Sequence, residues 1–150
     1  MASASLRRRM SFFIPLAALG VLFAQSTYGS GPEKLLGTWT GTSKCVNKKQ
    51  YPSCTDEEVI YRFTASPSKS SSTVLTADKL VEGKPQTMGV LEFTFDPTLN
   101  AWVSEFRTSR VHAVWTLVLS SDGRALTGTL EDLPSRTLIR RISVAKRDTR

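Results

Sequence analysis

Leu35-Leu36-Gly37-Thr38-Trp39-Thr40-Gly41-Thr42 is the stretch on which the fold of this 150-residue chain turns. Threonine and tryptophan favour extended backbone, and their alternation sends one set of side chains to each face. We read Leu35 to Thr42 as an opening strand whose Trp39 gives the core its largest anchor.

Working outward from it, the chain parses into more short strands set off by turn residues every eight to twelve positions, the pattern of a barrel or sandwich. A polar loop, Ser43 to Asp56, holds both cysteines and the Tyr51-Pro52-Ser53 turn. Glu57 to Ala65 alternates, with Val59, Tyr61, Phe63 and Ala65 on one face. Ser72 to Val81 follows and stops at Glu82-Gly83-Lys84-Pro85. Gln86 to Phe95 places Leu91, Phe93 and Phe95 on one side, and Ala101 to Arg107 makes a short fifth strand. Arg110 to Ser120 is apolar through Val111, Ala113, Trp115, Leu117 and Leu119, with Val114 and Val118 on its other face. Ser121-Asp122-Gly123 is a hairpin signal, and Arg124 to Glu131 and Arg136 to Lys146 end the pattern. Connections this short force antiparallel neighbours. The expected fold is therefore all-β: an eight-stranded antiparallel up-and-down β-barrel, whose closure removes exposed edges.

The first 26 residues read differently. Arg7, Arg8 and Arg9 precede an apolar run from Phe12 to Ala24, and Ala24 and Ser26 suit the small-residue positions of a signal-peptide cleavage site. Pro15 and Gly20 interrupt a run already short for a span of ~20 residues, so no stable membrane anchor is expected. The organisation is a signal peptide over 1–26, a short linker over 27–34, the barrel domain over 35–147 and a tail over 148–150. The product is secreted, to a periplasm or the exterior. Cys45 and Cys54 suit that oxidising setting and are expected to form a structural disulfide.

Loss of the leader removes three of the 20 basic residues and no acid, leaving 17 against 13 acidic, a net charge of +4. Lys44, Lys48 and Lys49 cluster in one loop, and Lys146, Arg147 and Arg150 near the end. No aromatic residues interleave with them as in base-stacking surfaces, so no nucleic acid partner is expected.

Catalytic and metal constellations are missing from the sequence. His112 is the one histidine, it falls on the face opposite Trp115, and no serine stands in a nucleophile elbow. Glu92 and Glu105 on neighbouring strands have only generic spacing for a carboxylate pair. A single histidine cannot complete a zinc site with this cysteine pair unless acidic ligands join it. The reading is a non-enzyme with no cofactor, no metal and no catalytic residues.

Gly37-Thr38-Trp39 at the head of an eight-strand pattern resembles the Gly-x-Trp motif that opens barrels of the calycin superfamily, the lipocalins, avidins and related carriers. The resemblance implies a tryptophan closing the barrel base against a late-strand arginine. Arg140, sharing a face with Leu138, Ile142 and Val144, is the candidate, and Arg141 the competing choice. It also implies a binding habit. Trp39, Tyr61, Phe63, Phe93, Phe95, Trp115 and Arg140 become the candidate wall of a pocket for a small apolar ligand, the alternative being that the aromatic set simply fills the interior. The expected function is a lipocalin-like carrier of a small apolar molecule. The alternative is a filled barrel acting as a surface binding or inhibitory module, through the loop from Lys44 to Lys49 and an exposed Tyr51, on a protein or polyanion. Oligomeric state is not legible in the sequence.

Overall fold

A computed structural model describes residues 31–148; the signal peptide expected over 1–26 lies outside the described residues. The strands run in chain order around a closed barrel: β1 (Gly37–Cys45), β2 (Glu57–Ala65), β3 (Ser72–Val81), β4 (Lys84–Asp96), β5 (Ala101–Arg107), β6 (His112–Leu119), β7 (Ala125–Asp132) and β8 (Leu138–Lys146). Each pairs antiparallel with its neighbours, and β1 closes the ring on β8. The all-β, up-and-down expectation holds, and β2, β3 and β5 have the expected bounds. At the β3–β4 hairpin Glu82 and Gly83 both take positive φ, the primed two-residue turn that matches strand twist.

The opening stretch differs at both ends from its sequence reading. Leu35 and Leu36 are not strand: Pro32–Lys34 forms a 3-10 turn, and Leu35 caps it in helical conformation. Proline at the first position of that turn fixes its φ and stops the strand from reaching back. Leu35 is fully buried, and its carbonyl accepts a 2.8 Å hydrogen bond from the Trp39 indole Nε1. At the other end β1 runs on to Cys45, because its pairing with β8 extends to Cys45↔Arg140.

The same register corrects the expected cap on Trp39. Trp39 stands opposite Lys146, and the Lys146 ammonium lies 5.2 Å from the indole centroid while donating to the Lys34 carbonyl at 3.1 Å. Arg140 is six residues up β8, roughly 20 Å away at ~3.4 Å per residue, at the opposite end of the barrel. Lysine, not arginine, supplies the cation. Closure between β1 and β8 also needs Gly41, where a Cβ would stand 2.2 Å from the Ser143 carbonyl oxygen.

Inward positions of all eight strands form one core, from Trp39, Val59, Tyr61 and Phe63 through Leu75, Phe93 and Trp102 to Leu117, Leu126 and Ile142. Edge-to-face pairs tie it together, Tyr61 with Trp115 at 5.9 Å and Phe63 with Phe93 at 5.8 Å between centroids. The sixth strand is only partly covered on both faces: Val114 is buried but Val118 is exposed.

One seam in the barrel is open. β4 meets β5 only through Thr94↔Val103, Phe95↔Trp102 and Asp96↔Ala101, although β4 is 13 residues long. Extending that register would set Glu92 directly beside Glu105, and like charges directly opposite destabilise a ladder. A register shift at Ala77/Asp78 on β3, opposite Gly89 and Thr87, further twists β4 at this point.

Replacing Trp39 with alanine removes the indole from a fully enclosed site and should cost about 3–5 kcal/mol of stability in a denaturant titration. A loss below about 1 kcal/mol would contradict its role as the anchor of the closed end.

Candidate functional site

The end of the barrel opposite Trp39 carries the polar chemistry. Cys45 at the end of β1 is bonded to Cys54, with Cα atoms 6.0 Å apart, so the β1–β2 loop is held as a closed ring of backbone. Asp56 organises that ring: it accepts a 3.0 Å hydrogen bond from the Cys45 amide and an ion pair from Lys48 at 3.3 Å. The amide bond chiefly, and the ammonium groups of Lys48 and Lys44, hold the Asp56 carboxyl below its usual range. Tyr51 is turned under rather than outward: with Cys54 it packs against the core, and burial followed by the Asp132 carboxylate pushes its phenol pKa up. The expectation of an exposed Tyr51 fails because the disulfide ring folds its aromatic side chain over the mouth of the barrel.

Beneath this ring lies a buried polar cluster. The Arg140 guanidinium donates to Glu57 at 3.0 Å, to the Ser43 hydroxyl at 3.1 Å and to the Ser43 carbonyl at 3.3 Å. Arginine and glutamate side chains are 13% and 12% exposed, so each requires the other's charge. The Tyr61 hydroxyl lies near Ser43, Arg140 and Glu57, and although the Ser43 hydroxyl is close enough to act on it, no well-aligned hydrogen bond to it forms among the described residues. Burial, far more than its neighbours, pushes this phenol well above the usual tyrosine range.

The candidate pocket residues are thus divided between two ends and a packed middle. Trp39, Tyr61 and Phe93 are 0% exposed, Phe63 2% and Trp115 7%, all within the core cluster; Phe95 packs on it against Trp102 at 5.4 Å. Arg140 is placed with Tyr61 but not with Trp39. Of the set, only Phe95 lines the open groove of about 850 Å³ at the closed end, which it shares with Lys34, Asn100, Trp102, the 119–123 turn and Lys146. A second, shallower groove runs over the outside of β1 and β2, past Thr40, Thr42, Glu58 and Ile60.

Sequence reasoning missed three residues. Trp102 is among the largest fully buried side chains, and its alternation with Ser104 and Phe106 could have placed it inward. Glu57 and Ser43 carried no signal, because their role depends on which strands meet at β1 and β8.

On the outer face of the same end, cations gather. Lys44 stands directly opposite Arg141 across the β1–β8 ladder, both exposed, with Lys48 and Lys49 in the adjoining ring. Of these cations Lys48 and Lys44 act on the Asp56 carboxylate, and Glu58 stands on the next strand opposite Thr42. Elsewhere His112 sits on the outer wall, its Nε2 2.6 Å from Glu105 and its Nδ1 2.8 Å from Arg107. No cluster of three or more metal-ligating side chains occurs among the described residues.

No protein-family model and no curated protein matches this chain. The class is defined by geometry alone: a closed, eight-stranded, up-and-down barrel with a disulfide-bonded cap over one end.

Two measurements follow. The phenol of Tyr61 is raised by burial, so its contribution to stability is complete below the ordinary tyrosine pKa of about 10 and is lost as pH climbs above that toward its folded value. Alkaline denaturation should therefore steepen above about pH 10, and Tyr61→Phe should flatten that limb while leaving neutral-pH stability unchanged or slightly raised, because the buried hydroxyl has only a weakly aligned partner in Ser43. Replacing both Cys45 and Cys54 with alanine should cost about 2–3 kcal/mol in chemical denaturation, the loop entropy of a ring this short. An unchanged midpoint would show that the ring holds its shape without the bond.

Proposed function

We propose that this is a secreted, calycin-like barrel with a filled interior that acts as a binding module, docking an anionic partner on the cationic rim formed by Lys44, Lys48, Lys49 and Arg141. The observation that carries the reading is the Lys44↔Arg141 pair. Like charges directly opposite on a ladder weaken it, so the arrangement costs stability unless an anion relieves it.

Three further features support it. The aromatic side chains that would wall a carrier pocket are packed on one another, as a small barrel filled by its own side chains requires. At the Arg140 end the disulfide ring packs Tyr51 and Cys54 against the core. The same ring fixes Lys48 and Lys49 relative to Lys44, which lowers the ordering cost of binding. The orientation of the wall, apolar inward with Lys44, Glu58, Arg62, Glu92 and Arg141 outward, is the reverse of strands that cross a bilayer. Secretion rests on the Arg7 to Ser26 leader together with the disulfide, which suits an oxidising compartment.

Mature protein passed over a heparin column, heparin serving as the polyanionic probe, should be retained at low salt and released as salt rises. The Lys48→Glu/Lys49→Glu variant should elute in the flow-through with an unchanged fold by circular dichroism. A neutral apolar fluorophore such as N-phenylnaphthylamine should show no saturable enhancement. Saturable fluorophore uptake by a variant that has lost heparin binding would instead support the carrier function.

A further inference from the structure

The open seam between β4 and β5 has a chemistry of its own. On the β5 side of β4 the ladder ends at Thr94, so among the described residues the backbone edge of β4 back to Lys84 has no strand partner, and neither does the facing edge of β5 from Ser104 to Arg107. Pro85 lacks an amide hydrogen, which confines the usable β4 edge to residues 86–93. Free strand edges are normally shortened, covered or charged along their length. This one keeps Met88 and Val90 exposed at 41% and 61%.

Side chains on the two faces of the seam differ in kind. Inward, Leu91 and Phe106 are half-buried against the core, and a Cβ placed on Gly89 would meet no atom within 4 Å. Room for an apolar side chain therefore exists beside apolar walls. Outward, Glu92 and Glu105 hold the positions that a continued ladder would place opposite each other. Glu92 accepts a 3.1 Å hydrogen bond from the Ser66 hydroxyl. Glu105 faces His112, and the tautomer is set by Arg107: a guanidinium has only donors, so it donates to Nδ1, and Nε2–H then donates to Glu105.

We propose that the seam takes an extended segment of a partner protein as an added strand, with a basic residue on its outward face between Glu92 and Glu105 and an apolar neighbour directed inward over Gly89. Backbone hydrogen bonds to the two free edges supply affinity, and the alternation of one apolar and one basic side chain supplies selection. A cation between the two carboxylates also offsets the repulsion that a continued ladder would place there. The site is separate from the Lys44 rim and selects the opposite charge.

The test is an NMR titration of the mature protein with capped peptides of about eight residues, alternating valine and threonine, with either lysine or glutamate at one central position. Before peptide is added, amides of 86–93 that are not bonded to β3 should exchange far faster than those of β1. The lysine peptide should shift and protect residues 86–93 and 104–107 with a Kd on the order of 100 μM, and the glutamate peptide should bind roughly tenfold more weakly. Glu105→Gln should cut the preference for lysine several-fold while leaving the backbone signature in place, and Gly89→Val, which occupies the inward space, should weaken both peptides. The absence of shifts up to about 1 mM, equal binding of the two peptides, or shifts confined to other strands would overturn the proposal. So would seam amides already protected in the free protein, whether by closure of the barrel or by a second copy seen in sedimentation.

Discussion

The barrel depends on what happens to one indole. Trp39 is enclosed on every side, its nitrogen satisfied by the Leu35 carbonyl and its ring faced by the Lys146 ammonium, which is itself held by the Lys34 carbonyl. Those contacts join the chain before β1, the start of β1 and the end of β8 into one closed base. A buried indole with an unmet N–H would be expensive, so the 3-10 turn at Pro32–Lys34 is part of the core's requirement rather than an accessory. Above that base the core is tied by separate aromatic pairs, Tyr61 with Trp115 and Phe63 with Phe93, and the polar cluster around Arg140 lies at the far end.

The two ends of the barrel solve different problems. The base uses apolar bulk and one cation. The other end buries a charged pair, Arg140 with Glu57, and covers it with a loop that a disulfide makes rigid. Burying such a pair brings little net stability by itself, but removing either partner would strand a charge. The cover over that cluster brings Lys48 and Lys49 next to the opposed Lys44 and Arg141, which is why the proposed contact surface lies at this end and outside. Function in this reading is a property of the rim, positioned by a core whose aromatic side chains pack on one another.

Much of this was legible in the chain. Period-two alternation and turn residues located every strand, because each strand has one face inside the barrel and one in water; β2 shows this most plainly, with Val59, Tyr61 and Phe63 buried. The disulfide followed from two cysteines standing behind an expected secretory leader. What could not be read was register. Whether Arg140 or Lys146 meets Trp39 depends on a pairing between residues about a hundred positions apart, and the sequence face alone placed Arg140 inward without saying at which end. Glu57 and Ser43 were invisible for the same reason. The open seam was hidden as well: Glu92 and Glu105 fall on neighbouring strands in the sequence, yet that the β4–β5 ladder stops at Thr94, short of them, depends on pairing that alternation does not show.

The central claim is that the aromatic set is the core of a filled barrel and not the wall of a pocket. Native mass spectrometry of the gently purified mature protein, compared with the same sample denatured, tests it most directly. The account predicts a bare chain in both, lighter than the reduced form by the two hydrogens lost to the Cys45–Cys54 bond. A small mass that travels with the native protein and disappears on denaturation would contradict it.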